Sequence, residues 1–182
     1  MERPQRLRRL RTRPSKRREP PEPGQAYDVA VRLLGLRSHS AVELGRKLGR
    51  RGFDEDTVAS VVARLAERRY LDDSEFAREL VSHRSRGRGG AAIAAELASK
   101  GVARSVAQAA VAGIDPEVEI ETAAAFARRW LARAVPGSLR SLLEIAGPRL
   151  ARRGYAPGVV REACRRALLS EPGDQASVGY GR

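Results

Sequence analysis

The side chains that could carry out covalent or acid–base chemistry are few in this chain. It has one cysteine, Cys164, and two histidines, His39 and His83. A single cysteine cannot close an internal disulfide, and these three residues are too few for a closed Cys/His zinc site. Neither histidine has a serine, cysteine or carboxylate at a spacing typical of a nucleophile and its base. The sequence therefore predicts no metal, no cofactor and no catalytic centre, with Cys164 as a small buried helical residue.

The carboxylates are explained by helix starts rather than by catalysis. Most of them lie where N-capping and the helix dipole favour a negative charge. They are Asp54, Asp56, Asp72, Asp73, Asp115, Glu117 and Glu119. The segment Gly87-Arg88-Gly89-Gly90 resembles a phosphate-binding loop, but it lacks the Gly-Lys-Ser/Thr ending and a preceding strand. We therefore expect a binding protein and not an enzyme.

The net charge favours a polyanionic partner. The chain has 35 lysines and arginines against 22 acidic residues, which gives +13 at pH 7. Such a charge attracts nucleic acids and nucleoproteins. Aromatic residues make up only 4% of the chain, whereas proteins that stack bases interleave aromatic residues with their cations. Direct DNA contacts should therefore be mainly to phosphates, with strong salt dependence and little sequence preference.

Three clusters of cations are candidate contacts for this partner. The clusters are Arg46, Lys47, Arg50 and Arg51; Arg84, Arg86 and Arg88; and Arg149, Arg152 and Arg153, with Lys100 alone between the last two. In the first cluster the spacing of four stacks cations on successive helical turns. The second precedes a helix whose free N–H groups add positive potential, although a solvated loop explains this segment equally well. The third occupies positions that correspond to the first.

The elements that position these residues are predicted to be helices. Apolar residues recur at helical spacing almost throughout residues 25–169, and no stretch shows the sustained alternation of a strand. Capping signals agree with this assignment. Ser40 and Asp72 each precede a glutamate by three residues, as in a capping box, and Asp54 can cap the next helix. Asp115 comes before a proline at the first helical position.

One sequence pattern occurs three times, at residues 48–53, 97–102 and 150–155. It reads leucine, two residues, a cation, glycine and an apolar residue, and its leucines are 49 and 53 residues apart. This period is typical of stacked helical repeats. A glycine after a helix end can adopt the left-handed conformation, and the apolar residue that follows packs back onto the helix. The cation either compensates the helix dipole or faces a partner. Pro148 is expected to kink or restart the third helix of this type.

These observations predict an all-α protein with three tandem three-helix modules in an elongated, curved array. The expected modules span residues 25–71, 72–114 and 115–169. Residues 1–24 hold nine cations, three glutamates and five of the ten prolines, so we expect a disordered basic arm that either tethers nucleic acid or aids solubility. Residues 170–182 are expected to be a flexible tail.

No apolar run approaches the roughly 18 residues of a membrane span, and we expect a monomeric cytoplasmic protein.

Several segments resemble the RecX family of regulatory proteins. They are residues 37–44, Lys47-Leu48, Gly52-Phe53, residues 70–77, Arg84, Arg88-Gly89 and residues 97–102. The likeness covers about residues 26 to 112. The Tyr-Leu-Asp-Asp-x-x-Phe-Ala segment at 70–77 is its most specific part, and the third module departs more from the family pattern.

The resemblance implies three three-helix repeats that bind in the groove of a RecA filament on single-stranded DNA and bridge neighbouring subunits. It further implies that the protein restrains ATP hydrolysis, strand exchange and the co-protease activity of the SOS response, without chemistry of its own. The predicted cations would then contact the filament or its phosphates. Two alternatives remain open from the residues. One is a general DNA-binding helical protein that contacts phosphates, and the other is a helical scaffold whose charge serves solubility.

Overall fold

The computed structural model describes residues 23–134 and 138–170, which form helices joined by short turns. The helices are α1 (Pro23–Leu36), α2 (Ala41–Gly49), α3 (Glu55–Glu67), α4 (Asp73–Arg84), α5 (Gly90–Ser99), α6 (Arg104–Ala112), α7 (Pro116–Ala134), α8 (Leu139–Arg152) and α9 (Pro157–Leu169). The all-α prediction is confirmed. Helix α1 begins at Pro23, two residues before the expected start of the first module. The rest of the predicted basic arm, and the predicted tail after Ser170, lie outside the described residues.

Each group of three consecutive helices encloses a hydrophobic core of its own. We call these groups module 1 (α1–α3), module 2 (α4–α6) and module 3 (α7–α9). The repeat leucines and the residues four positions before them lie at the centres of these cores, each at most 2% exposed. They are Leu44 and Leu48, Ile93 and Leu97, and Ala146 and Leu150. The predicted three-helix repeat is therefore confirmed, and its pattern has a packing cause.

The turn after the second helix of each module contains a glycine with a positive φ, as the sequence predicts. The φ angles are 96° at Gly52, 83° at Gly101 and 86° at Gly154. The apolar residue after each glycine is buried. Its N–H reaches back to the repeat leucine in modules 2 and 3, where Val102 and Tyr155 donate to the leucine carbonyls over 3.1 and 3.3 Å. These bonds close the helix ends and direct the third helix onto the second.

The predicted N-caps are present, but the capping boxes are only half formed. Ser40, Asp54 and Asp72 each accept hydrogen bonds from backbone N–H groups of the first helical turn. The return bond from the glutamate three residues on is not made at Ser40, because the Glu43 carboxylate binds Arg37 and two lysines instead. The capping pattern thus located the helix starts correctly and assigned Glu43 the wrong partner.

The sequence predicts that Pro148 kinks or restarts its helix; α8 runs through Pro148 as one helix, so the predicted restart is wrong. Proline has no N–H, so the helix loses one backbone bond at this point. Pro148 is exposed, and the buried residues Ala146 and Leu150 on either side hold the helix on the core of module 3. The Arg152 side chain donates to the Pro148 carbonyl over 3.3 Å.

The same joint connects module 1 to module 2 and module 2 to module 3. The start of the second helix of one module docks on the turn that ends the second helix of the next. In the first joint, Ser40 Oγ donates to the Lys100 carbonyl over 2.5 Å. In the second, the Gly89 N–H donates to the Arg153 carbonyl over 2.9 Å. Ser40 and Gly89 occupy equivalent repeat positions, as do Lys100 and Arg153.

A carboxylate from the following module completes each joint. The N–H of Ala41, the first residue of α2, donates to Asp73 over 2.9 Å. The N–H of Gly90, the first residue of α5, donates to Glu119 over 3.0 Å. The sequence assigned Asp73 and Glu119 to the starts of their own helices. In the structure each of them satisfies the N-terminus of a helix in the module before.

Candidate functional site

The predicted cations gather at the two joints between modules. At the first joint, Arg46 and Lys47 of α2, with Arg50 and Arg51 directly after it, belong to the helix that docks on the turn at Lys100, the C-cap of α5 in module 2. Arg46 donates to the Ser99 carbonyl of module 2 over 2.9 Å. Lys47 and Lys100 share the Glu43 carboxylate, at 4.0 and 3.7 Å. We call these five residues the first cationic group; it is formed by two modules.

Glu43 is the electrostatic centre of this group. Its side chain is only 17% exposed, and it pairs with Arg37 as well as with Lys47 and Lys100. Partial burial opposes ionisation, but the hydrogen bond from Arg37 and the charge of Lys100 outweigh it and lower the pKa of Glu43. Lys47 and Lys100 are therefore paired within the chain, although one carboxylate serves three cations and the group remains positive. Arg50 and Arg51 are exposed and have no carboxylate partner among the described residues.

His39, for which the sequence offered no partner, is buried beside this group at 3% exposure. Its Nδ1 is 2.8 Å from the Arg37 carbonyl, which can only accept, so the proton lies on Nδ1. Its Nε2 then accepts from Lys47 Nζ over 2.7 Å. Burial, together with the charges of Arg37 and Lys47, lowers the pKa of His39, although its bond to the Arg37 carbonyl and the charge of Glu43 oppose this. The neutral imidazole thus positions Lys47.

This arrangement predicts a pH dependence of stability. Because the folded state lowers the pKa of His39, the unfolded state binds more protons between the folded pKa and the ordinary value of about 6.5. The contribution of His39 to the free energy of unfolding is complete above the unfolded pKa and is lost as the pH falls through the folded pKa.

We expect the melting temperature of the wild type to fall more between pH 7.5 and 5.5 than that of His39→Gln. His83→Gln, at the exposed second histidine, is the matched control and should retain the wild-type profile; equal profiles for all three proteins would contradict the assignment.

The second cationic group lies at the second joint. It combines Arg84, Arg86 and Arg88, at the end of α4 and in the following turn, with Arg149, Arg152 and Arg153 of α8 and its C-cap. Arg153 crosses the joint and donates to the Gly87 carbonyl over 3.0 Å. Arg84 and Arg88 pair with Glu96 at 2.8 and 3.1 Å. Arg86 is exposed and pairs with no carboxylate of the described chain.

The expected anion site at the start of α5 is wrong in one respect. The sequence suggested that the first N–H groups of this helix are free. In the structure Gly89, Gly90 and Ala91 donate to the Arg153 carbonyl, Glu119 and the Gly154 carbonyl, respectively. Module 3 therefore accepts the first N–H groups of α5. An anion at this place could bind only the arginines nearby.

Two aromatic residues that sequence reasoning missed belong to the second group. The Arg149 guanidinium lies 4.2 Å from the ring centre of Trp130, and that of Arg153 lies 4.0 Å from the ring centre of Phe126. Arg129 also approaches Phe126, at 5.1 Å. The sequence suggested that the cations stand apart from aromatic residues, which is wrong here. The spacing of four between Phe126 and Trp130 on α7 was the available signal, because it places both rings on one helix face.

Of the eleven predicted cations, only Lys47, Lys100, Arg84 and Arg88 form ion pairs within the described chain. The others are exposed arginines with no carboxylate within 4 Å in the part of the chain that the structure describes. They are Arg46, Arg50, Arg51, Arg86, Arg149, Arg152 and Arg153. Exposed, unpaired arginines retain their charge and most of their N–H donors for a partner. The structure therefore divides the predicted cations into a set that is paired within the chain and an available set.

Within residues 23–134 and 138–170, no group of three or more His, Cys, Asp or Glu residues could hold a metal ion. Cys164 is fully buried in module 3, and burial raises the pKa of its thiol. No described helix combines the length and the apolar character that a membrane span needs.

Comparison with known proteins gives a consistent result. Residues 26–65 match the family model described as RecX, first three-helix domain, and residues 72–111 match that of RecX, second three-helix domain. The chain is 38% identical over 160 residues to a regulatory protein RecX of Mycobacterium sp. (strain JLS), with 84% of this chain and 87% of the relative covered. It is 36% identical over 166 residues to the regulatory protein RecX of Streptomyces coelicolor, with 89% and 86% covered.

Among solved structures, the fold is similar to the crystal structure of RecX from Lactobacillus salivarius. The TM-score is 0.75 at 18% identity, with 81% of this chain and 97% of that chain covered. A second crystal structure of a regulatory protein RecX gives a TM-score of 0.68 at 22% identity, with 75% and 70% covered. At these identities the structures support the fold alone.

Proposed function

Because this chain belongs to the RecX family of regulatory proteins, we propose that it inhibits a RecA recombinase by binding along the filament that RecA forms on single-stranded DNA. The observation that carries the proposal is the recurrence of exposed arginines at both joints of a tandem array. A repeated positive surface fits a long acidic partner that itself repeats. The protein performs no chemistry in this proposal and acts as a monomer, with modules that divide at residues 71/72 and 114/115.

The mechanism follows from how each joint is built. Both cationic groups draw residues from two adjacent modules, so their geometry depends on the modules being docked. An array that contacts neighbouring filament subunits through such groups would hold those subunits in one relative position. Subunits restrained in this way cannot complete the changes that accompany ATP hydrolysis, strand exchange and co-protease activity. The energy comes from arginine contacts with carboxylates and phosphates, which are screened by salt.

A titration of the DNA-dependent ATPase of RecA tests this function. We expect the ATPase rate to fall as the protein is added, at concentrations that leave bare DNA unshifted in a gel assay. Inhibition should weaken as salt is raised, because the contacts are ionic. A protein that shifts bare DNA tightly and leaves the ATPase unchanged would instead support the general DNA-binding alternative. A protein that does neither would overturn both.

A further inference from the structure

A pocket on module 3 has the composition of a nucleotide site. It has a volume of about 490 Å³, and its walls include Phe126, Arg129 and Trp130 of α7 and Arg149, Arg152 and Arg153 of α8 and its C-cap. This volume is within the range of sites that hold small molecules. Two aromatic rings and four guanidinium groups thus surround one space.

Three of the four arginines of this pocket are held in place by hydrogen bonds to backbone carbonyls. The Arg149 side chain donates to the Ile145 carbonyl, that of Arg152 to the Pro148 carbonyl and that of Arg153 to the Gly87 carbonyl. Each guanidinium has five N–H donors, so several donors per arginine remain after these bonds. None of the four arginines pairs with a carboxylate of the described residues. The pocket therefore combines oriented positive charge with unused hydrogen-bond donors.

The aromatic rings of Phe126 and Trp130 favour one class of anion over the others. Arginines alone would suit any anion, such as an acidic peptide or free phosphate. Aromatic faces and guanidinium planes also stack on flat rings, and phosphate takes the N–H donors. Bases inside a duplex already stack on their neighbours and present only their edges. A concave pocket lined by rings and guanidinium groups therefore favours an unpaired base with its phosphodiester.

We propose that this pocket binds a nucleotide of single-stranded nucleic acid, with the base stacked among Phe126, Trp130 and their arginines and the phosphate on Arg149 and Arg152. The inference deepens the proposed function, on which it rests for its biological setting. The pocket lies at the second joint, where Arg153 contacts Gly87 beside the exposed Arg86. A filament-bound array would thus contact the DNA strand directly at module 3 as well as the protein.

The only tryptophan of the chain, Trp130, reports on the pocket. Titration of the full-length protein with a short oligothymidylate should change its fluorescence and saturate. An abasic oligomer of equal length has the same phosphates but no bases to stack, so we expect it to bind about five- to 150-fold more weakly. Equal affinity for the two oligomers would overturn the proposal. So would tighter binding of a duplex or of polyglutamate.

Substitutions of the pocket arginines test whether the oligomer binds in this pocket. Arg149→Ala with Arg152→Ala should weaken binding of a labelled oligothymidylate by about tenfold or more. Because both arginines are placed on one phosphate, the slope of log affinity against log salt should fall by roughly 0.7. Arg78→Ala with Arg140→Ala, which removes two exposed arginines outside the pocket, is the charge-matched control and should bind like the wild type. An unchanged affinity of the double variant would refute the assignment.

The two proposals can fail separately. If the wild type inhibits the RecA ATPase while oligothymidylate neither changes Trp130 fluorescence nor binds, the pocket inference is wrong and the filament proposal stands. If the oligomer binds in the pocket and the ATPase is unaffected, the pocket assignment stands without the proposed function.

Discussion

Replacing Gly154 with alanine should separate module 3 from module 2 and lower stability strongly. Gly154 has a φ of 86°, where alanine costs about 1–2 kcal/mol. A Cβ atom at this position would also lie 2.3 Å from the Ala92 backbone nitrogen, across the second joint. Backbone cannot move aside as a flexible side chain can, so the joint must open. We expect a lower midpoint in chemical denaturation and a larger radius of gyration in solution scattering.

Two further glycine variants separate the steric clash across the joint from the cost of a positive φ at alanine. Gly49→Ala adds the same methyl group where nothing lies within 4 Å, and we expect no loss of stability because alanine favours helices. Gly52→Ala places the methyl group at the exposed left-handed turn of module 1, where φ is 96°, and therefore serves as the control for the backbone cost. A Gly154→Ala protein as stable and as compact as Gly49→Ala would show that the second joint is not formed as described.

Reversing three available arginines should abolish most of the proposed inhibition of RecA. Arg50→Glu, Arg51→Glu and Arg86→Glu change exposed side chains that have no carboxylate partner in the described chain and make no hydrogen bond across a joint. Each reversal replaces an attraction to carboxylate or phosphate with a repulsion. We expect the half-inhibitory concentration in the ATPase assay to rise by about tenfold or more, while the helical circular dichroism signal is retained.

The control for this triple variant must have the same net charge. Three reversals remove six charge units, which changes the formal charge from +13 to +7. Arg32→Glu, Arg78→Glu and Arg161→Glu make the same change at exposed arginines outside the two cationic groups. This control should inhibit nearly as well as the wild type. If both triple variants lose inhibition equally, overall charge and not the position of the arginines governs binding.

The helices and their grouping could be predicted from the sequence because they depend on local chemistry. Apolar spacing, N-capping residues and the glycine turns act over a few residues, so Ser40, Asp54, Asp72 and the repeat leucines were assigned correctly. The repeat also predicted which cations occupy equivalent positions. Pro148 was the local exception in that α8 does not restart there, and its neighbours Ala146 and Leu150 pack into the core of module 3.

The joints could not be predicted, because their partners are distant in sequence. Ser40 donates to the carbonyl of a residue 60 positions away, and Gly90 to a carboxylate 29 positions away. A carboxylate near a helix start looks the same in sequence whether it caps its own helix or that of another module. Asp73 and Glu119 do lie in the first turns of their own helices, as the sequence predicts, but their hydrogen bonds to the starts of α2 and α5 were missed.

The same limit applies to the candidate site. Residue type and spacing identified the arginines, since charge is a property of the chain. Which charges remain available depends on side-chain pairing across the folded surface: Glu43 and Glu96 form ion pairs with four of the predicted cations. The association of Phe126 and Trp130 with arginines of α8 likewise required α7 and α8 to pack together. Local sequence specifies the helices and the charges they carry, whereas long-range packing selects which of those charges face a partner.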